Sequence, residues 1–437
     1  MVVNTIPTLQ RFTARGRALV QRLKPQSASS RNVLKLAGGT AGSQVISVAA
    51  APILTRLYGP ESFGVLATFA SILALLNVVS SLRYELAIAV PEDDDEAVAL
   101  VWLCFVLVAI STGLTALGVL LLGDQLVIWL NEPALKPLLW LLPVGVLLSG
   151  VYQPLSYWAI RRKQFGLLAQ TKFRQSIFGV ATNLASASLG TIGLLMGQIV
   201  SQSAGAAAIF RHSAAELLRS APGSAIYLLK TLRKYSHFGA YSSQAGLINV
   251  LANTAPYLLF SSLFGSFYVG QLLVAQRILL APASLISTSV GQVFLQKVSE
   301  AHRQYVAQKA FKKATQKLAS LLAPSIVFLV LLVYFFSSFI FGRNWAEIGI
   351  ISLSLTPLLV AKTVVSPVGQ ILFALGKTRL QLFAQIVLIT VSLLPFTFFG
   401  SYSLPFWMAV LAWSIFNAFG YILFWLLCLM GSQKSTL

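Results

Sequence analysis

Twelve apolar stretches, each about the length that crosses a bilayer, run along this chain, and the last six resemble the first six. The spans are predicted near residues 31–55, 63–90, 98–122, 137–160, 172–190 and 192–211, and then near 240–263, 267–295, 318–341, 347–374, 381–399 and 404–430. Together they use more than half of the 437 residues, so only short loops remain. The pattern predicts an all-α polytopic membrane protein of two six-helix lobes, the usual build of a secondary transporter.

The composition argues against a soluble protein and against nucleic acid as a partner. Hydrophobic residues make up 57% of the chain and charged residues 10%, whereas a soluble domain has about 25% charged residues. In a membrane protein, the formal charge of +20 comes mainly from Lys and Arg residues that set the topology and face anionic lipid head groups. Cys104 and Cys428 both lie inside apolar spans, so no disulfide framework is expected.

The connections between the spans predict the domain organisation and the orientation. The predicted units are a basic N-terminal segment (1–30), an N-lobe (31–211), an inter-lobe linker (212–239), a C-lobe (240–430) and a tail (431–437). The connections on one side hold most of the Lys and Arg residues, and the other side holds Arg56, Lys136 and Arg343. This asymmetry predicts that both termini are cytoplasmic. The acid-free segment 1–30 is predicted to lie on the cytoplasmic leaflet, and an organellar transit peptide is the alternative.

The two halves share a turn motif. Leu57-Tyr58-Gly59 is followed five positions on by Gly64, and Leu263-Phe264-Gly265 is followed five positions on by Gly270. Both motifs mark the turn from the first to the second helix of a half. Because six helices are an even number, the halves run in the same direction, and an axis along the membrane normal should relate them.

Polar side chains form stripes on the first two helices of each half. The stripes are Thr40, Ser43, Gln44 and Ser47; Asn77, Ser80, Ser81 and Tyr84; Asn249, Asn253 and Tyr257; and Arg277, Ser284, Thr288 and Gly291. Polar groups are costly in hydrocarbon, so they face either protein or a water-filled cavity. The stripes predict a hydrated cavity between the lobes, and plain helix–helix packing is the alternative.

Two cations are predicted close to the bilayer midplane. Arg277 lies about 11 residues into its span, roughly 17 Å deep at 1.5 Å per residue, and Lys362 lies at a similar depth. A lone cation there costs about 3 kcal/mol or more. Both residues are therefore predicted to line a wet cavity and to attract a phosphate-bearing substrate. The alternative is pairing with a helix carbonyl or a nearby carboxylate.

Three further charges lie within about two turns of the predicted cytoplasmic boundary: Lys35, Arg83 and Glu85. Glu85 is the acidic residue embedded in a span, which makes it the candidate if a proton drives transport through a carboxylate. Arg83 and Glu85 are two residues apart, so on one helix they would point to nearly opposite faces and would not pair. The alternative role for Glu85 is a structural salt bridge to Lys35 or Arg83 of a neighbouring segment.

Catalytic and metal chemistry find little support in the sequence. The three histidines, His212, His237 and His302, fall in predicted cytoplasmic segments, so no intramembrane metal site is expected. Gly376-Lys377-Thr378 is not a nucleotide-binding loop, because Ile371 occupies the position where such a loop needs glycine. A membrane glycosyltransferase, polymerase or ligase would need a large outer loop or catalytic carboxylates. The sequence predicts neither an enzyme nor a cofactor.

The opening hairpin resembles that of a known family. The turn LYGPESFG (57–64) and the helix end LRYELAIA (82–89), which precedes an acidic loop, are its most specific parts, with weaker support from 275–302 and 366–382. In these segments the chain resembles polysaccharide biosynthesis membrane proteins, the Wzx-type O-antigen and exopolysaccharide flippases. Their superfamily (MOP) also contains the MATE exporters and the lipid II flippases.

The resemblance implies a V-shaped cavity between two lobes, lined by the first, second, seventh and eighth helices. The implied function is to flip a sugar repeat unit on polyprenyl pyrophosphate across the bacterial inner membrane, by alternating access, for O-antigen, capsule or exopolysaccharide synthesis. Its partners would be the lipid-linked glycan, membrane lipids, a polysaccharide polymerase and a chain-length regulator. The alternatives are a MATE-like cation-coupled exporter, a scramblase and a non-transporting scaffold. The excess of midplane positive charge over carboxylates favours an anionic cargo.

Site residues are predicted by combining this resemblance with position in the spans. The residues predicted to attract the pyrophosphate are Arg277, Lys362, Lys35 and Arg83. The residues predicted to hydrogen-bond the sugars are Gln44, Asn77, Asn249, Asn253 and Tyr257.

Overall fold

The described part of the chain forms a bundle of twelve long helices, arranged as two six-helix lobes. A computed structural model describes residues 28–220, 222, 224–300, 304–369, 372, 377–399 and 404–431. The predicted N-terminal segment 1–30 lies outside the described residues except for its last three positions, and so does the tail 431–437 except for its first. The predicted all-α membrane fold is confirmed.

Each lobe contributes six helices in sequence order. The N-lobe contains α1 (Ala28–Leu57), α2 (Pro60–Ser80), α3 (Asp94–Leu130), α4 (Leu141–Arg161), α5 (Phe165–Ala185) and α6 (Thr191–Arg219). The C-lobe contains α7 (Ser243–Phe264), α8 (Ser266–Glu300), α9 (Gln304–Phe341), α10 (Ile348–Val365), α11 (Thr378–Leu393) and α12 (Phe406–Gly431). A linker helix, Ala225–Lys234, joins the lobes and packs on α3.

Nine of the described helices are long and apolar enough to cross a bilayer by length and composition. The helices α4, α5 and α8 are outside this group, and α5 carries Lys172 and Arg174 within its length. Helix starts follow local chemistry. Pro60 opens α2, where its missing N–H costs nothing, and the Asp93 carboxylate caps α3 by accepting from the backbone N–H of Asp95.

The second span differs from its prediction. It was expected to continue as a helix to residue 90, but α2 ends at Ser80. Leu82 and Arg83 then adopt left-handed backbone angles, with φ of 48° and 61°, and a 3-10 helix runs over Tyr84–Ala89. The chain therefore turns sharply before Glu85. This turn reverses the predicted relation between Arg83 and Glu85, as described below.

The lobes touch most closely at the hairpin turns that carry the repeated motif. A Cβ added at Gly64 would lie 1.9 Å from the Ser266 carbonyl oxygen, and one added at Gly270 would lie 1.9 Å from the Pro60 carbonyl oxygen. Pro60 and Ser266 occupy corresponding positions, four residues before Gly64 and Gly270. The two contacts are thus equivalent under the repeat, as expected where a pseudo-twofold axis passes between two backbones. Glycine is required there because nothing larger fits.

This end of the bundle, called the opposite end below, carries further contacts between the lobes. The Trp345 indole donates to the Thr55 carbonyl at 2.7 Å, and the Thr68 hydroxyl donates to the Ser261 hydroxyl at 3.1 Å. Trp345 and Thr68 are both buried. One continuous hydrophobic cluster includes residues of both lobes here. The lobes are therefore closed against each other at the opposite end.

The other end, called the basic end, is held by ion pairs. Asp94 accepts from Arg161 and from Arg162, each at 2.8 Å, and the Arg161 hydrogen bond is the main reason why the pKa of Asp94 lies below its usual value. Arg162 also pairs with Glu216, and Lys234 of the linker helix pairs with Glu96. The acidic loop before α3 thus meets the positive charges of α4 and the linker.

Candidate functional site

Arg277 is a charged side chain that lies far along α8 and lines one of the described cavities. It is the twelfth residue of α8, about 17 Å along that helix, yet its side chain is exposed. None of the ion pairs among the described residues involves it. An exposed guanidinium at this depth requires open, polar space beside it.

That space is a cavity of about 480 Å³ between the N-lobe and α8. Its polar lining comes from α1, α5, α6 and α8: Gln44, Ser47, Gln175, Ser176, Asn183, Gln198, Ser201 and Arg277. No carboxylate lines it. The cavity thus combines one positive charge with a row of neutral hydrogen-bonding groups.

The side-chain amides of Gln175 and Asn183, on one side of this cavity, lie where α5 and α6 pack closely together. A Cβ at Gly197 would lie 1.7 Å from Asn183 Oδ1, and a Cβ at Gly205 would lie 2.1 Å from Gln175 Nε2. Both of these amide atoms are buried and have no hydrogen-bond partner within the described structure. Unpaired buried amide groups are costly, so a ligand hydroxyl or water that pairs with them would be bound favourably.

This α5–α6 face is not among the predicted sites, because the predicted polar stripes lie on the first hairpin of each half. A signal was present in the sequence: Gln175, Gly179 and Asn183 recur every four residues, which places them on one face of α5. The charged residues Lys172 and Arg174 nearby made the segment look like a boundary.

The predicted sugar-binding residues fall in three different places. Gln44 lines the Arg277 cavity. Asn77 lies between α2 and α4, where its side-chain oxygen accepts from the Ser149 hydroxyl at 2.6 Å, the packing role that was the alternative. Asn249 and Asn253 line a pocket of about 70 Å³ in the C-lobe, and Tyr257 donates to Gln276, which lines the same pocket, at 2.9 Å. Their roles in sugar binding stay predictions.

The predicted phosphate-binding residues are also separated. Lys362 lines the C-lobe pocket, where its ammonium donates to Asn253 Oδ1 at 3.1 Å. Leu280 contributes to both cavities, so they are neighbours, but the structure does not bring Lys362 and Arg277 into one chamber. Arg83 lies at the basic end, and the side chain of Lys35 is outside the described part of the structure. A phosphate-binding role for each stays a prediction.

Glu85, the candidate for ion coupling, is fully buried at the basic end. Its carboxylate accepts from the Ser81 hydroxyl at 2.6 Å and lies 3.5 Å from the Arg83 guanidinium. The expectation that Arg83 and Glu85 do not pair was wrong, because it assumed a continuous helix. The left-handed residues Leu82 and Arg83 bring the two side chains together.

The Arg83 turn also connects the lobes at the basic end. A Cβ at Gly246 of α7 would lie 2.9 Å from Arg83 Nε, and the Tyr84 hydroxyl donates to the Leu232 carbonyl of the linker helix at 3.0 Å. Glu85 therefore supports the segment through which the N-lobe contacts α7 and the linker helix. Among the residues that the structure covers, no group of three His, Cys, Asp or Glu side chains could hold a metal ion.

Comparison with solved structures supports the fold. A structure described as lipid II flippase MurJ in an inward closed conformation matches with a TM-score of 0.69 and 14% identity, over 90% of this chain and 86% of that one. An inward-facing multidrug resistance MATE family transporter of the MOP superfamily matches with a TM-score of 0.56 and 15% identity, over 95% and 98%. The MATE transporter VcmN of Vibrio cholerae matches with a TM-score of 0.57 and 12% identity, over 91% and 94%.

Sequence comparison gives the family. No curated protein sequence matches the chain. Residues 53–349 match the profile of a family described as polysaccharide biosynthesis protein. This match includes the opening hairpin, the linker and the first half of the C-lobe, well over half of the chain. The chain belongs to the polysaccharide biosynthesis protein family.

Proposed function

We propose that the protein is a flippase that moves polyprenyl-pyrophosphate-linked oligosaccharide repeat units across the bacterial inner membrane for O-antigen, capsule or exopolysaccharide synthesis. The observation that carries this proposal is Arg277, an exposed guanidinium deep in an apolar bundle, in a cavity without a carboxylate. A guanidinium forms paired hydrogen bonds with phosphate oxygens. The family match supports a polysaccharide precursor as the phosphate-bearing cargo.

In this proposal the cavity binds the two polar parts of the substrate on different lobes. Arg277 of the C-lobe binds the pyrophosphate. The amides of Gln175, Asn183 and Gln198 on the N-lobe, with Gln44, hydrogen-bond the sugar hydroxyls. The polyprenyl tail stays in lipid, where its transfer costs nothing. A polymerase and a chain-length regulator would use the flipped units.

The proposed orientation places the basic end, both termini and the acidic loop in the cytoplasm. The opposite end, where Gly64 and Gly270 meet the facing backbone, is then periplasmic and closed. Alternating access requires these contacts to separate while the basic end closes further. The turn at Arg83 and its contacts with α7 and the linker helix are the corresponding closure at the cytoplasmic side.

The alternative is a MATE-like exporter of organic cations, which shares this fold. Such an exporter needs a carboxylate in its cavity to attract the cargo. The Arg277 cavity offers a guanidinium instead, and Glu85 is buried in its own ion pair. The charge of the described cavity therefore favours an anionic substrate.

The experiment that tests the proposal compares Arg277→Ala with a matched control, Arg219→Ala, in a strain that lacks the wild-type gene and any redundant flippase. Arg219 is an exposed arginine at the end of α6 and lies outside the cavity. We expect Arg277→Ala to accumulate full-length lipid-linked units in the cytoplasmic leaflet and to lose surface polysaccharide, and the control to behave as wild type. Normal polysaccharide in the deletion strain itself would refute the function. Normal polysaccharide with Arg277→Ala at wild-type protein levels would refute the proposed site.

A further inference from the structure

The C-lobe pocket around Lys362 contains polar chemistry that the proposed function does not use. Lys362 lies about 21 Å along α10 from the start of the helix, partly buried. The pocket of about 70 Å³ is also lined by Asn249, Asn253, Gln276, Ser392, Asn417 and Tyr421. No carboxylate lines it, and no ion pair among the described residues includes Lys362. A positive charge here therefore lacks a negative partner.

The hydrogen bonds already formed by the pocket residues indicate which kind of ligand could pair with the remaining groups. Two of the three asparagines have each used one of their two amide N–H groups: Asn253 donates to the Asn249 carbonyl at 2.8 Å, and Asn417 donates to the Trp413 carbonyl at 2.9 Å. Asn253 Oδ1 is taken by Lys362. Each of these two asparagines therefore keeps a second amide N–H as a donor.

The groups left over are mostly donors. Gln276 Oε1 accepts from Tyr257, which leaves the Gln276 amide N–H groups. Ser392 Oγ accepts from the Trp413 indole at 3.4 Å, which leaves its own O–H to donate. An ammonium has three N–H donors, of which Asn253 takes one. Tyr421 adds a phenolic O–H. A surplus of donors around an uncompensated cation is the chemistry of an anion site.

We propose that this pocket binds a small inorganic anion of the halide class, with Lys362 as its charged ligand. The size supports a small ion, because a pocket of about 70 Å³ admits only a few water-sized groups. Access is provided by Asn249 and Asn253, which are exposed at the side of α7. The anion neutralises Lys362 and thereby removes the cost of an unpaired charge in the membrane. The proposed anion site at Lys362 does not depend on the proposed flippase function.

The test measures thermal unfolding of the full-length protein in lipid nanodiscs, in sodium chloride or bromide and in sodium gluconate at equal ionic strength. Gluconate is too large for the pocket, and the cation stays constant. For wild type we expect a saturable rise of the unfolding midpoint with chloride and with bromide, but not with gluconate. Equal midpoints in chloride and gluconate over the whole titration would overturn the proposal.

Two lysine variants test whether Lys362 is the residue through which chloride stabilises the protein. Lys362→Met should raise the half-saturating chloride concentration by roughly tenfold or more, as expected for losing one charge-assisted hydrogen bond. The matched control is Lys312→Met, which removes an exposed lysine of α9 and should leave the titration unchanged. The same half-saturating chloride concentration in Lys362→Met as in wild type would overturn the assignment.

Should Lys362→Met fail to fold, anomalous scattering from bromide in wild-type crystals decides. Anomalous density beside Lys362 supports the site, and the absence of such density there refutes it. Stabilisation by inorganic pyrophosphate, with none by chloride, would assign the pocket to the substrate head group and reject the halide.

Discussion

The backbone contacts at Gly64 and Gly270 predict that a single methyl group can separate the lobes at the opposite end. In Gly64→Ala the added Cβ would lie 1.9 Å from the Ser266 carbonyl oxygen, whereas ordinary contacts begin at 3.4 Å. The two backbones must therefore move apart by about 1.5 Å or bend, and overpacking of this kind costs about 1–3 kcal/mol. Alanine is the better helix former by about 1 kcal/mol, so helix propensity cannot cause a loss.

If the lobes separate as units during transport, that strain is released in the conformation open at the opposite end. A bias of about 1–3 kcal/mol changes the ratio of two conformations by roughly 5–150-fold. Gly270→Ala should give the same result, because its Cβ meets the equivalent Pro60 carbonyl at the same distance. The matched control is Gly113→Ala in α3, where an added Cβ has no neighbour within 4 Å.

The assay is the distance between spin labels at positions 136 and 343, one in each lobe at the opposite end. Lys136 and Arg343 are both exposed, and the native Cys104 and Cys428 are fully buried, which limits their labelling. We expect a longer-distance population in Gly64→Ala and Gly270→Ala, and the wild-type distribution in Gly113→Ala. An unchanged distribution in both inter-lobe variants would refute the conclusion that these contacts are the gate, whatever happens to stability.

Three further predictions follow from single contacts. Asp94→Asn should lower the unfolding midpoint at pH 7 by an amount equivalent to about 0.5–1 kcal/mol, a small value because Asp94 is half exposed to solvent. Since Arg161 lowers the pKa of Asp94, this stabilisation is present above pH about 4 and is lost as the pH falls through the folded-state pKa. The unfolding midpoints of variant and wild type should therefore converge at low pH. Trp345→Phe should cost about 1–3 kcal/mol of unfolding free energy, because the ring stays but the Thr55 carbonyl loses its donor; an unchanged midpoint would contradict this. Glu85→Gln should reduce thermal stability, because the Ser81 and Arg83 contacts of the carboxylate are lost, and the response of export to an imposed proton gradient should match that of wild type; a response present in wild type and absent from the variant in proteoliposomes would assign proton coupling to Glu85.

The helices and the repeat could be predicted from the sequence because apolar length and turn motifs are local properties. The motif that ends in Gly64 and Gly270 marked the hairpins correctly, and the structure explains it by backbone contact across the axis. The end of α2 could not be predicted, because two non-glycine residues, Leu82 and Arg83, adopt positive φ only with support from the basic end. That one turn decided the partner of Glu85.

The candidate site was harder to predict, because a polar stripe identifies one face of a helix but not the residues that pack against that face. Asn77 and Gln44 both belong to a predicted polar stripe, yet Asn77 pairs with Ser149 between helices while Gln44 lines the Arg277 cavity. The depth of Arg277 was predictable, since a charge inside an apolar run leaves few options. Which helix faces complete its cavity depends on how the lobes pack, and that information is distributed over all twelve helices.

The division of the cavity between the lobes links binding to movement. The guanidinium of Arg277 belongs to the C-lobe, while the amides of Gln175, Asn183 and Gln198 belong to the N-lobe. A substrate that spans both groups binds best when the lobes hold them at the right separation, and it loses contacts when the lobes part. A ligand shifts a conformational equilibrium only by its difference in affinity for the two states. In the proposed mechanism the phosphate and sugar ligands lie on bodies that move relative to each other, so substrate binding and lobe closure would be energetically coupled. Release on the far side would then follow from separating the ligands, without any change in their chemistry.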